Sequence, residues 1–207
     1  MEKYVTVKEA ASGEYEEKRS RFIGTVLPCE TEEEATRILS EFRTKHWDAR
    51  HCVYAYVLRS GTVRFSDDGE PHSTAGKPVL EVLQHSGLQD AIIVVVRYFG
   101  GVLLGTGGLC RAYTASARAA LDAAQIVEMR PSCIYRIDCP YADHDRLLSE
   151  LSFLNVEVQG SEFAEAVRLT VAVEQENAAT FENRIRESFS ARLTPILERE
   201  EYAAFFL

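Results

Sequence analysis

No stretch of this sequence approaches the roughly 20 consecutive apolar residues that cross a bilayer. Its start, Met1-Glu-Lys-Tyr-Val-Thr-Val, lacks the apolar core of a secretory signal. The expectation is a cytoplasmic protein with no membrane partner. The five cysteines (Cys29, Cys52, Cys110, Cys133 and Cys139) are odd in number and without CxxC spacing, which disfavours a disulfide framework and a zinc ribbon alike. Also missing are the HExxH pair of a zinc hydrolase and the GxSxG elbow of a serine hydrolase. "TAGKP" has one glycine and no hydroxyl residue after Lys77, so it is not a P-loop. A basic surplus is absent too. A net charge of −9 argues against a protein that coats nucleic acid indiscriminately. No cofactor is expected.

Acid is missing from one particular place. Between Ala91 and Leu121 there is no Asp or Glu, while Arg97, Arg111 and Arg118 are present. Five of the chain's 12 glycines (Gly100, Gly101, Gly105, Gly107 and Gly108) fall in this window. The charge is uneven at larger scale as well. Residues 1–130 carry 16 Lys+Arg against 18 Asp+Glu, and residues 131–207 carry 7 against 14.

A chain of 207 residues suffices for two small domains, each with its own core. Tyr4 to Leu27 alternates as two strands around Gly13, the second being "EKRSRFIGTVL". Thr31 with Glu34 forms a capping-box signature, and Ala35, Ile38, Leu39 and Phe42 continue at helical spacing. "HCVYAYVL" and "TVRFS" read as a hairpin across Arg59-Ser-Gly61, "SDDGEP" as a turn, and "GKPVLEVLQHSG" as a short helix stopped by Gly87. "AIIVVV" is apolar on both faces, as a central strand is. After the glycines, "LCRAYTASARAALDAA" is built of helix formers.

Pro131 marks the expected junction between a domain at 1–130 and one at 131–207. The second reads strand, helix ("Asp143 to Phe153"), two strands around Gly160, helix (Glu176 to Phe189) and strand. That βαββαβ order is the ferredoxin-like plan. The fold class is α+β with two domains.

The glycine segment is the strongest candidate site. A strand, glycines and a helix start bring unpaired amides and the positive helix end to one point, which suits phosphate or carboxylate. Gly100, Gly101, Gly105, Gly107 and Gly108 would shape that cradle. Arg97, Arg111 and Lys77 would supply charge, with Lys18 and Arg21 on the rim. A tight architectural corner is the competing reading. Of Tyr98 and Phe99, one should face a groove, because strand neighbours point oppositely. Asp67, Asp68 and Glu70 offer oxygen ligands for a divalent cation, although acid-and-glycine loops are more commonly solvated turns. His46, His51 and His85 read first as capping or core histidines. Cys110 reads as a small buried apolar residue rather than a reactive thiol.

Four segments carry a family resemblance: "KRSRFIG", "ARHCVYAYVL", "FSDDGEPHSTAGKPVLEVL" and above all "VVVRYFGGVLLGTGGLCRAYTASA". Together they resemble the IMPACT family, of the bacterial type with an added C-terminal domain. The resemblance implies an N-terminal domain like the second domain of small-subunit ribosomal protein five. That fold is shared with domain four of elongation factor G and the ribonuclease P protein. The second domain should then resemble elongation factor G domain five. Eukaryotic relatives regulate translation through a further N-terminal domain not found in this sequence, so that role does not transfer, and the family implies no established reaction.

The function expected is non-enzymatic binding or regulation, with RNA or a ribosomal, phosphate-rich surface recognised through the glycine segment. A protein partner in translation control is a further expectation. The alternatives are an enzyme of phosphoryl or phosphodiester transfer with Mg²⁺ at the acidic loop, and a protein–protein adaptor. Oligomeric state is not legible.

Overall fold

The structure, a computed structural model, describes residues 2–207. The chain divides into two compact units: residues 4–127 with 206–207, and residues 128–205 with the N-terminal stretch up to Lys3.

The first unit runs β1 (Tyr4–Val7), β2 (Ala11–Glu17), β3 (Ser20–Pro28), α1 (Glu32–Lys45), β4 (His51–Val57), β5 (Val63–Ser66), α2 (Gly76–Ser86), β6 (Ala91–Tyr98) and α3 (Gly105–Asp122). Its sheet has the order β2-β3-β6-β4-β5, and every neighbouring pair is antiparallel. β6 lies at the centre because its side chains are apolar on both faces. Ile93 and Val95 pack with Val79, Leu83, Ala112 and Tyr113 of α2 and α3. Ile92, Val94 and Val96 pack with Ile38 and Leu39 of α1 on the opposite face. Each such side chain contributes about 1.5–3 kcal/mol by burial.

The opening segment departs from the expected two strands around Gly13. β2 runs straight through Gly13, and the hairpin turns at Lys18 and Arg19, whose φ values of 48° and 64° fit a two-residue turn with both central residues left-handed. Gly13 serves packing instead. It sits opposite Gly24 in the β2–β3 register. A Cβ at Gly13 would lie 2.4 Å from the Ala119 carbonyl carbon, and one at Gly24 would lie 2.3 Å from the Ser116 carbonyl oxygen. This glycine pair lets α3 lie directly on the sheet.

The anticipated N-terminal capping box of α1 forms. Thr31 Oγ1 accepts from the Glu34 amide at 3.1 Å, and Glu34 reaches back to the Glu30 amide at 2.9 Å.

The second unit runs from β7 (Ile126–Cys139) through α4 (Tyr141–Phe153), β8 (Glu157–Phe163), β9 (Val167–Glu174), a single 3₁₀ turn at Gln175–Asn177, α5 (Ala178–Ser188) and β10 (Ile196–Phe206). The order β10-β7-β9-β8 is the ferredoxin-like arrangement. Leu147, Leu151, Phe181, Ile185 and Phe189 of the helices cover Tyr135, Ile137, Leu169 and Val171 of the sheet. Two details differ from expectation. Pro131 lies inside β7 rather than in a connecting loop. Gly160 marks a register irregularity within β8, and the β8–β9 turn falls at residues 164–166.

Candidate anion-binding cleft

One end of the first unit gathers the chemistry. β6 ends in Arg97 and Tyr98, and alternation sends them to opposite faces. Tyr98 goes to the α1 face, where its hydroxyl meets His46 Nδ1 at 2.8 Å. Burial, followed by the charge of Lys45, holds the His46 imidazole below its ordinary pKa. Arg97 goes to the α2–α3 face and is 5% exposed. Phe99, the next residue, is 39% exposed. Of the aromatic pair, Phe99 faces a groove.

Burying a guanidinium requires partners. Arg97 Nη1 donates to Glu70 Oε1 at 2.5 Å, and the Tyr113 hydroxyl donates to the same oxygen at 2.7 Å. Burial, reinforced by the Glu70 charge, pushes the Tyr113 pKa up, so its hydroxyl remains a donor. Glu70 Oε2 lies 3.8 Å from His51 Nε2, and His51 Nδ1 contacts the Asp68 carbonyl oxygen at 2.7 Å. A carbonyl only accepts, so Nδ1 is the donor of that bond. Arg97 Nε is buried with no hydrogen-bond partner among the described residues.

Above this group opens a cleft of about 570 Å³. It is lined by the polar and charged Arg50, His51, Glu70 and Arg97, by the apolar Phe99, Leu103 and Leu109, and by Gly105 and Thr106 of α3. The α3 N-terminus carries no side-chain cap and no acidic residue in its first turn. Its positive end is therefore uncompensated. Arg50 lies over the Phe99 ring at 5.3 Å and Arg97 at 5.6 Å.

The sequence candidates separate here. Arg97 and Gly105 line the cleft. The helix begins at Gly105 rather than after the glycines, so Gly107 and Gly108 are helical. Gly100 is a corner: a Cβ there would lie 2.1 Å from the Arg19 carbonyl carbon, and its amide donates to Ser20 Oγ at 3.1 Å. Gly101, with φ 84°, is open to solvent. Arg111 is exposed on α3, Lys77 is exposed at the start of α2, and Lys18 is exposed in the β2–β3 turn. Arg21 pairs with Glu14, its Nη2 lying 2.6 Å from Oε1.

The acidic loop does lie beside the glycine segment, through Gly69 and Glu70. Its carboxylates, however, are engaged by protein donors. Asp67 accepts from the amides of Ser73, Ala75 and Gly76 at 2.8, 3.1 and 2.8 Å. Asp68 accepts from the Cys52 amide at 2.7 Å and pairs with Arg43 at 3.3 Å. Among the described residues, no group of three or more His, Cys, Asp or Glu is placed to hold a metal ion. Burial pushes the Cys29 and Cys52 thiols up to about 11, which keeps them neutral and unreactive near pH 7.

Sequence reading missed Arg50 and Thr106. Arg50 reaches the cleft because β4 pairs with β6 in a register that sets His51 against Arg97. It also missed Trp47, 82% exposed just beyond the end of α1.

Comparison with known proteins bears on this arrangement. The Impact N-terminal domain profile matches residues 18–121, and that of a Domain of unknown function (DUF1949) matches residues 137–192. An "IMPACT family member" of Haemophilus influenzae is 36% identical over 198 residues, covering 93% of this chain and 96% of that protein. The chain belongs to the IMPACT family. Two other IMPACT family members, YvyE of Bacillus subtilis and YigZ of Escherichia coli, are 35% and 36% identical and cover 90% and 89% of this chain. They match 87% and 92% of their own lengths. "Protein IMPACT" of Xenopus laevis matches only 43% of the chain, at 32% identity. A solved structure titled "Crystal structure of an hypothetical protein" superposes with a TM-score of 0.62 at 33% identity, covering 97% of this chain and all of that one. The cleft lies wholly within the residues matched by the Impact N-terminal domain. No described helix is long and apolar enough to cross a membrane.

Proposed function

We propose that this IMPACT family protein is a non-enzymatic binding or regulatory protein that recognises RNA, or a ribosomal RNA surface, at the β6–α3 end of its first unit. The observation that carries the reading is the α3 N-terminus, free of a side-chain cap and of acid, on a cleft that Arg50 and Arg97 also line. Backbone amides, a helix dipole and guanidinium groups together suit phosphate. Exposed cations flank this end in sequence and register: Lys18 and Arg19 in the turn packed against Gly100, Arg50 at the cleft, and Arg111 on α3. Exposed Phe99 supplies a ring on which an unstacked base can lie, and Trp47 a second aromatic surface in the same unit.

The phosphodiester-transfer alternative draws support from Glu70, which sits at the cleft. Against it, every carboxylate of the acidic loop already accepts from the protein. The adaptor alternative draws support from exposed Val102 and Leu103, but Leu103 shares the cleft lining with Arg50 and Arg97.

Filter binding of a short single-stranded RNA across a salt series tests the reading. Affinity should fall with salt, with a log–log slope of about −0.7 for each phosphate neutralised. Replacing Arg50 and Arg111 together by alanine should reduce that slope by about one to one and a half. Absence of binding at low salt, or a slope untouched by the double variant, would overturn it.

A further inference from the structure

We propose that the free sheet edge of the second unit, strand β8 beside helix α4, docks an extended basic segment of another protein. That segment alternates apolar and cationic residues and adds to the sheet as a further strand. The proposal goes beyond the RNA reading, which concerns the first unit.

β8 ends the sheet order β10-β7-β9-β8, so one of its edges has no strand partner among the described residues. At such an edge every second residue presents its backbone N–H and C=O outward, a template for one more strand. Beyond the irregularity between Val158 and Gly160, the pairing with β9 is regular from Gly160 to Phe163. Residues 159–163 are all exposed.

One side of this edge is apolar. Val158, Ser161 and Phe163 sit opposite Val171, Leu169 and Val167, which belong to the core beneath the helices. Phe163 is therefore on the α4 side, where its ring meets His144 edge-on at 5.8 Å and is still 63% exposed. Tyr141 and Leu148 flank His144 at helical spacing on α4, and both are exposed. The Tyr141 hydroxyl donates to the Ala164 carbonyl at 2.8 Å, which holds the start of α4 against the end of β8.

The other side is acidic. Glu157 and Glu162 sit opposite Ala172 and Arg168, away from the helices. From Leu147 to Val167 the chain has no Lys or Arg, while Glu150, Glu157, Glu162 and Glu165 are present. Glu162 is only loosely held, 3.7 Å from Arg168 Nη1, because Arg168 Nε is committed to Asp138 at 2.7 Å. Like charges across an edge repel, so β8 rejects a second β8 and favours a cationic strand. Its inner edge already shows the matching pattern. β9 reads Val167-Arg168-Leu169-Thr170-Val171, with the valines and leucine toward the helices and Arg168 opposite Glu162. The outer edge carries the same side chains and selects the same alternation.

The test titrates a fluorescein-labelled peptide of alternating valine and lysine, equal in length to β8, into the full chain and follows its anisotropy. The peptide should bind, and hydrogen exchange should show the amides of residues 157–163 gaining protection. A valine–glutamate peptide, and a valine–lysine peptide N-methylated at alternate backbone nitrogens, should each bind at least about tenfold more weakly. Glu157→Lys with Glu162→Lys should reverse the preference, so that the valine–glutamate peptide binds instead. Phe163→Ser, which removes an exposed ring and leaves both carboxylates, should independently weaken the valine–lysine peptide about fivefold. Equal binding of the N-methylated peptide, or protection confined to other residues, overturns strand addition. A chain that sediments as a dimer, broken by the double reversal, makes a second copy the occupant and overturns the proposal. Failure on any of these counts leaves the RNA reading standing, since no RNA enters the measurements.

Discussion

Helices α2 and α3 pack against each other on one face of the first sheet, yet their N-termini are treated differently. At α2 the carboxylate of Asp67 reaches across from the acidic loop and accepts from three amides, those of Ser73, Ala75 and Gly76. Ala75 and Gly76 are buried, so their amides had to be satisfied from within. At α3 the start is exposed, and no side chain among the described residues caps it. The contrast separates two uses of the same backbone feature. A buried helix start is closed by its own protein, whereas the exposed start is left open on the cleft. Asp67, which the sequence offers as a metal ligand, turns out to be the α2 cap.

The strongest way to break the comparison is at Gly100. If α3 is presented by a rigid corner, Gly100→Ala must drive its methyl into the Arg19–Ser20 backbone, where the nearest atom lies at 2.1 Å. Backbone cannot yield as a flexible side chain does. Urea unfolding should show a loss of about 3 kcal/mol. A loss under about 0.5 kcal/mol would mean that the corner adapts and that the α3 start is not held in place.

The next largest effect should come from Asp67→Ala, which opens the α2 start. Stability should fall by about 2 kcal/mol, since buried amides lose their acceptor. No phosphate site should appear at α2, because the freed amides remain out of solvent. Phosphate binding gained in the variant, seen as a rise in melting temperature with added phosphate, would dissolve the distinction between the two termini.

Much of this was legible beforehand. The doubly apolar β6, the capping box of α1 and the βαββαβ order each rest on local patterns, and each formed. Local pattern also explains the misses. Gly13 and Gly24 alternate with their neighbours like any strand residues, and only the approach of Ser116 and Ala119 shows why they lack side chains. Gly107 and Gly108 looked like loop because glycine is a poor helix former, but the first turn of a helix tolerates it, and Gly105 opens that turn with a left-handed φ of 72° that favours glycine. The cleft itself depends on which strands pair. Arg50, Glu70 and Arg97 are far apart in sequence and meet only through the β4–β6 register and the fold-back of the acidic loop.

The smallest effect is the sharpest on the glycines. Gly107 is helical, without a left-handed φ, and its nearest neighbour to an added Cβ is the mobile Arg111 Nη1 at 3.6 Å. It does not line the cleft. Gly107→Ala should therefore raise stability by about 0.5–1 kcal/mol through helix propensity alone, measured by urea unfolding. Its amide stays in place, so affinity for single-stranded RNA should not change. If affinity falls while stability rises, the ligand approaches the backbone at residue 107 more closely than the cleft lining implies, and the cradle extends one residue further along α3. If stability falls instead, the first turn of α3 is not the regular helix described, and the open terminus that distinguishes it from α2 has another cause.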